Sequence, residues 1–277
     1  MAISVIAPAR PVITRTGRAG ARGAVGWRVL GVAVVLIVWQ LLAIAIDYTA
    51  ILPGPIKVVT DFATSFVTDP GLSYLGVRVS GYGVNVAWTV GMATAAWLVG
   101  SAAGAIAGLL SARVQWVRNV TEPILFVFGA VPALVLAPFC LIWFGQGPGG
   151  KFALVAFYCF VTVGLIAQAA ALALPPVSEE YGAMMGVAAA ARFWHIVVPA
   201  TLPAVLAGLR VALSTAIAVQ ATVELLGSQT GAGRLIALRA TQGDVSAVLG
   251  LSLAIGIAAI LLDLLLQRLV RLFTRWQ

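Results

Sequence analysis

Charge is what this chain has least of. Only 9% of its 277 residues are Asp, Glu, Lys or Arg, against 61% hydrophobic residues and a mean hydropathy of +1.05, whereas soluble domains carry about a quarter charged residues. That composition excludes a soluble globule and describes an integral membrane protein. Histidine occurs once, at His195, and cysteine twice, at Cys140 and Cys159, with no second ligand at metal-binding spacing. Both cysteines lie in apolar runs and read as small buried side chains. With one histidine and no cluster of titratable groups, an enzyme is not expected.

A nucleotide site is also missing, although "FGQGPGGKF" (144–152) resembles part of a phosphate loop. Such a loop needs a hydroxyl after its lysine to hold Mg²⁺, and the residue after Lys151 is Phe152. The stretch reads as a glycine-rich turn, residues 145–151, ending in a lysine at the membrane edge.

What the chain does have is long apolar runs. A spanning helix takes about 20 apolar residues, and six segments qualify: 27–46, 83–110, 123–144, 152–174, 201–226 and 246–267. Barrel strands would alternate in polarity and be half as long, so the fold class is all-α, with six transmembrane helices. A basic tail over residues 1–26, rich in Gly, Ala, Pro and Arg, has little to pack and is expected to be disordered. Residues 27–277 form the membrane domain.

The basic residues orient it. With both termini on the cytoplasmic side, Arg10, Arg15, Arg18, Arg22, Arg28, Arg113, Arg118, Arg192, Arg268, Arg271 and Arg275 fall inside. Lys57, Arg78, Lys151, Arg234 and Arg239 fall outside, and Arg210 lies within the fifth span. Retained loops carry the Lys/Arg excess, so this bias supports inside termini. The net charge of +8 then points to anionic lipid headgroups, not to nucleic acid.

Two further patterns are informative. Gly100, Gly104 and Gly108 recur every four residues, which lines small residues along one face and lets another backbone approach. The loop over 175–200 carries Pro175 and Pro176, then Glu179 and Glu180, then Met184, Met185 and Gly186, and finally Arg192, Phe193, His195 and Pro199. The prolines bound a short separate helix. Its acidic residues suit the positive end of the dipole, and Arg192 and His195 suit the negative end. Its apolar side chains fit either a groove on a partner or the lipid surface.

That loop resembles the E-A-A-x3-G-x9-I-x-L-P element of binding-protein-dependent ABC import permeases. Glu180, Gly186, Ile196 and Pro199 keep the spacing, while Tyr181 and Gly182 replace the two alanines and Val198 the leucine. The likeness runs from about residue 27 to the C-terminus. "ILPGP" (51–55), "PALVLAPFCLIWFGQG" (132–147), "LPAVLAGLRVAL" (202–213) and "VELLGSQTGAGRLI" (223–236) are similar to the sulfonate, taurine and nitrate branch.

The resemblance implies a permease subunit of an importer in a bacterial inner membrane, carrying a small anionic solute delivered by an external binding protein. It implies a second permease subunit, in a homodimer, and two cytosolic ATPase subunits that hold the ATP and Mg²⁺. It makes 175–200 a coupling loop, with Glu180, Met184, Met185, Gly186, Phe193, Ile196 and Pro199 at the ATPase contact. Among intramembrane charges, Arg210 and Glu224 are candidate pathway residues, while Asp263 is expected near the inner interface beside Arg268. The alternative is an ion-coupled secondary transporter, which should show repeated halves and charged midplane helices; neither is evident.

Overall fold

The computed structural model describes residues 19–69, 71–72, 81–175 and 177–273. Among these the chain is helical throughout, and it divides into two units, Met1–Pro55 and Ile56–Gln277. Of the expected disordered tail, residues 1–18 lie outside the described residues and 19–26 already have helical backbone.

The first unit is one long helix, α1 (Ala19–Ile46), followed by a turn. Trp39 folds back across that turn, its indole N–H donating to the Pro53 carbonyl at 3.0 Å. The apolar run of α1 is long enough to span a bilayer.

The second unit is built on three helices: α3 (Tyr82–Ser111), α6 (Pro148–Leu172) and α9 (Val198–Leu226). A short helix α2 (Pro55–Thr64) precedes them. The glycine stripe does what its spacing predicts. A Cβ built at Gly100 would lie 2.0 Å from the Ala156 carbonyl oxygen, at Gly104 2.3 Å from that of Phe160, and at Gly108 2.3 Å from that of Gly164. Only glycine permits this α3–α6 approach, and the reward is dispersion contact along the full interface. Trp97, halfway along α3, donates its indole N–H to the Leu209 carbonyl on α9 at 2.9 Å. Three spans are thereby fixed in one body.

The third expected span, 123–144, is corrected by the structure. It is two helices, α4 (Gln115–Ala130) and α5 (Ala133–Phe144), meeting at an angle of 107°. The break falls at Val131 and Pro132. Its freed backbone is satisfied from both near and far: Val135 N–H donates to the Pro132 carbonyl at 3.0 Å, and the Tyr158 hydroxyl, on α6, donates to the Val131 carbonyl at 2.8 Å. Among the described residues, five helices are apolar and long enough to cross a membrane, or six counting that bent pair as one span.

The turn 145–151 is also shorter than expected. Pro148 opens α6, as its fixed φ suits a first helical position, so Lys151 sits within the helix and is buried, 3% exposed.

The loop 175–200 differs most from expectation. Its short helix is α7 (Val177–Met184), and it is followed by a turn and then by α8 (Ala189–Arg192) and a π-helical stretch over Phe193–Val197 that runs into α9. Ala189–Leu226 is one continuous 38-residue helix. Pro199 does not stop it, because the Val198 N–H bonds to the Phe193 carbonyl in π register and a missing proline N–H is absorbed at such a bulge. Arg192 and His195 therefore lie inside this long helix, not at the C-terminal end of the short one.

Two more helices complete the unit. Helix α10 (Ala232–Thr241) turns back beside α9, and α11 (Val245–Phe273) ends the described chain.

Candidate functional site

At one end of the unit, α7 is held by its own turn chemistry. Gly186 has φ of +76°, Val187 N–H bonds to the Gly182 carbonyl at 3.0 Å and Gly186 N–H to that of Ala183 at 3.0 Å. This is a Schellman termination, which needs a left-handed residue at its corner and therefore favours glycine. A Cβ at Gly186 would meet nothing within 4 Å. The glycine is required by backbone conformation, with open space around it.

The loop is also tied to the bundle. The Arg113 guanidinium, in the turn after α3, pairs with Glu179 and donates to the Ala171 carbonyl at the end of α6 at 3.1 Å. Arg192 donates to the Val187 carbonyl at 3.0 Å. Gly182 is buried, and a Cβ there would sit 3.0 Å from Arg192 Cδ and 3.2 Å from Ile196 Cδ1, so an alanine at this position would press on both side chains.

The outward side is apolar. Tyr181, Met184, Met185 and Trp194 are all strongly exposed, Met184 at 78%. Glu180, Gly186 and Pro199 are exposed beside them, whereas Phe193 is half-buried against the core and Ile196 packs on Gly182. The candidate contact residues thus separate into an outward group and an inward, supporting pair.

At the other end, the surprise is Glu224. Its carboxylate is 1% exposed and accepts from Thr89 Oγ1 at 2.6 Å, Gln220 Nε2 at 2.8 Å and the Gly233 N–H at 3.1 Å. Asn85 and Thr89 accept the neighbouring Gly231 and Ala232 N–H groups at 3.1 and 2.8 Å. Side chains from α3 and α9 together cap α10, whose N-terminal donors and positive dipole end favour a carboxylate. Gly231 and Gly233 make room: Cβ atoms there would lie 2.3 Å from Glu224 and 2.3 Å from the Ala221 carbonyl oxygen. Sequence reasoning missed this, although the two glycines after a buried acid were its only signal.

The cap has further ties. Lys151 Nζ donates to Ser228 Oγ at 2.6 Å, and Arg234 to the Ser228 carbonyl at 2.6 Å. At the far end of α10, Arg239 pairs with Asp69 and lies 5.9 Å from the Tyr82 ring centre.

The remaining intramembrane charges pair with each other. Arg210 Nε and Nη2 donate to the two Asp263 oxygens at 2.8 and 2.9 Å, and Gln267 donates to Asp263 at 2.6 Å. Asp263 is thus partnered by Arg210 on α9, not by Arg268 one turn along its own helix.

Helix α2 docks on α11 through Asp61, which accepts from Ser246 Oγ at 2.6 Å and Lys57 Nζ at 2.8 Å. Burial pushes the Asp61 carboxyl up, but these two hydrogen bonds outweigh it and hold the group below its ordinary value.

A helical body of this kind has counterparts among known proteins. Residues 100–277 match the model of the family described as the binding-protein-dependent transport system inner membrane component. The chain belongs to this family. The match spans every feature described above from the glycine stripe onward, and with the helices it makes the chain a multi-pass membrane protein. The taurine transport system permease protein TauC of Escherichia coli is 30% identical over 160 residues, which are 58% of this chain and 58% of that relative. The formylaminopyrimidine transport permease protein ThiX of Halalkalibacterium halodurans is 23% identical over 242 residues, 87% of this chain and 92% of that one. Among solved structures, an inward facing conformation of the MetNI methionine ABC transporter has a chain that superposes with a TM-score of 0.61 at 18% identity, covering 75% of this chain and all of that one. This last likeness concerns the fold.

Proposed function

We propose that this chain is the permease subunit of an ABC importer for a small anionic solute of the sulfonate, taurine or nitrate kind. It works with a second permease subunit, two ATPase subunits that bind ATP and Mg²⁺, and an external binding protein that delivers the solute. Both termini face the cytoplasm, in keeping with the arginine bias. The observation that carries this reading is the α7–Gly186–α8 corner, which exposes Tyr181, Met184 and Met185 while Arg113 and Arg192 fasten it to the spans. An exposed apolar patch on a fastened element suits a partner's groove. Motion imposed on α7 reaches α3 through the Arg113 pair and α9 through the unbroken helix behind it. ATP-driven closure of the partners would thereby tilt the spans. The relatives named above are permeases for taurine and for a formylaminopyrimidine, so the solute class rests on the sulfonate-type sequence likeness.

The test is co-purification. Met184→Glu/Met185→Glu alters two exposed side chains, so membrane insertion and folded yield should be unchanged while a co-expressed ATPase subunit is lost by at least 10-fold. Full retention of that subunit, with uptake intact, would remove the corner from the interface.

A further inference from the structure

Helix α11 is held differently along its two halves. In the first, Ser246, Ala247, Gly250, Leu251 and Ile255 are buried, and the segment docks on α2, with Asp61 accepting from Ser246 Oγ at 2.6 Å and Phe62 lying against Gly250. From Gly256 to Arg271 no residue is buried, and Ile257, Ile260, Leu261, Leu264 and Leu265 are each between 48% and 61% exposed. Burial within the chain stops at Ile255. What takes over, two turns further on, is the ion pair in which Arg210 Nε and Nη2 donate to the two Asp263 oxygens at 2.8 and 2.9 Å, braced by Gln267 at 2.6 Å.

The depth of the pair makes it a durable tie. Leu209, next to Arg210, bonds through its carbonyl to Trp97 midway along α3, and the Ala212 carbonyl is 3.7 Å from Cys159 Sγ near the middle of α6. Arg210 is therefore fixed at mid-height in the bundle. Separating two charges at that depth would leave each without its partner, which is costly, so the pair stays closed when the helices shift. The residue at the changeover between the two halves is Gly256. A Cβ there would meet nothing within 4 Å, whereas at Gly250 it would lie 3.3 Å from Phe62 Cβ. Gly250 serves packing within the chain, and Gly256 does not. Because glycine inside a helix weakens it, α11 is softest where its packing ends.

We infer that α11 bends at Gly256 during the transport cycle, its first half staying on α2 while the Arg210–Asp263 pair makes its second half follow α9. The inference rests on the permease reading, in which α7 and α8 move with the ATPase subunits and α9 continues from α8 without a break. Arg210 and Asp263 are then positioning residues. They act by carrying the last span along with α9, and neither needs to touch the solute to do so. Small residues at a few positions are what hinges between packed segments use.

Hydrogen exchange of the assembled transporter in lipid nanodiscs tests this, comparing the nucleotide-free state with one trapped by ATP and vanadate. Amides over 257–267 should change protection about 5-fold between the states, and those over 246–255 hardly at all. A uniform response along α11 would overturn the bend. Gly256→Ala should raise Tm by about 2 °C and yet cut the change over 257–267 to less than half. A change of full size overturns the pivot, and so does loss of the second permease subunit, which would assign Gly256 to a contact between subunits. Asp263→Asn should abolish the change over 257–267 while residues 198–213 keep theirs, and Arg210→Asp/Asp263→Arg should restore it. Survival of the change in Asp263→Asn overturns the tie; if that variant does not assemble, a charge-swapped protein that assembles without the change overturns it equally. ATPase retained with α11 indifferent to nucleotide sinks only this inference, whereas a preparation that never binds an ATPase sinks the importer reading.

Discussion

Where α9 ends at Leu226, the polar groups answer one another: Glu224 is buried with three donors, and Asn85 and Thr89 take two more from the start of α10. Where the same continuous helix begins, at Ala189, the nearby surface offers methionines, a tyrosine and a tryptophan to solvent. One end has completed its contacts within the chain. The other end leaves apolar side chains exposed, and on the proposed reading these are the ones available to a partner, so the contrast separates residues that maintain the fold from candidates for function.

The largest expected effect is therefore at the finished end. Glu224→Ala removes the acceptor for Thr89, Gln220 and Gly233 and leaves buried donors unpaired, which should cost roughly 2–4 kcal/mol. Thermal unfolding of the purified chain should show this as a clear fall in Tm, with Glu224→Gln losing about half as much because one acceptor oxygen remains. A normal Tm for Glu224→Ala would mean that the carboxylate serves something other than the α10 cap.

At the unfinished end, Gly186 sharpens the comparison. The sequence motif invites the view that glycine is there to clear a partner, yet its φ of +76° gives the residue a conformational duty of its own. Gly186→Ala should loosen α7 by about 1 kcal/mol, the cost of a left-handed alanine, and Gly186→Asn should cost less. Hydrogen exchange of residues 177–187 reads both. If Gly186→Asn protects those amides normally and still loses the ATPase, the clearance role returns.

Much of this was open to view in the sequence. The spans followed from apolar length, and a close backbone approach along α3 from three glycines at intervals of four; the corner at Gly186 did not, since the loop was expected to hold one short helix ending at Arg192 and His195. What could not be read depended on distant partners. Pro123, Pro138 and Pro203 all lie inside helices, while Pro132 stands at a 107° break. Nothing local distinguishes them; the Tyr158 hydroxyl that satisfies Val131 lies 27 residues away. Helix α10 escaped for a similar reason. Its ten residues are too few and too polar for a hydropathy window, and the cap that holds it comes from side chains 143 and 146 positions earlier. Arg210 and Glu224 looked alike as charges in one span, and only their surroundings set them apart.

The smallest effect expected concerns α2, whose hold on α11 is both polar and half-open to solvent. Because the hydrogen bonds of Asp61 hold its carboxyl below the ordinary value, folding is stabilised while that group is ionised. The contribution is complete above the unfolded carboxyl value, about 3.9, and is lost as pH falls through the lower folded value. The protection of the amides over residues 56–64, taken relative to the intrinsic exchange rate at each pH, should therefore fall on acidification below about pH 4, ahead of any change in α3 or α6. Asp61→Asn should abolish that dependence and leave a small, pH-independent loosening. If the variant kept the acid transition, another carboxyl would be responsible, and Asp244, whose side-chain oxygen caps the start of α11 through the Ala247 N–H at 3.0 Å, is the group to change next.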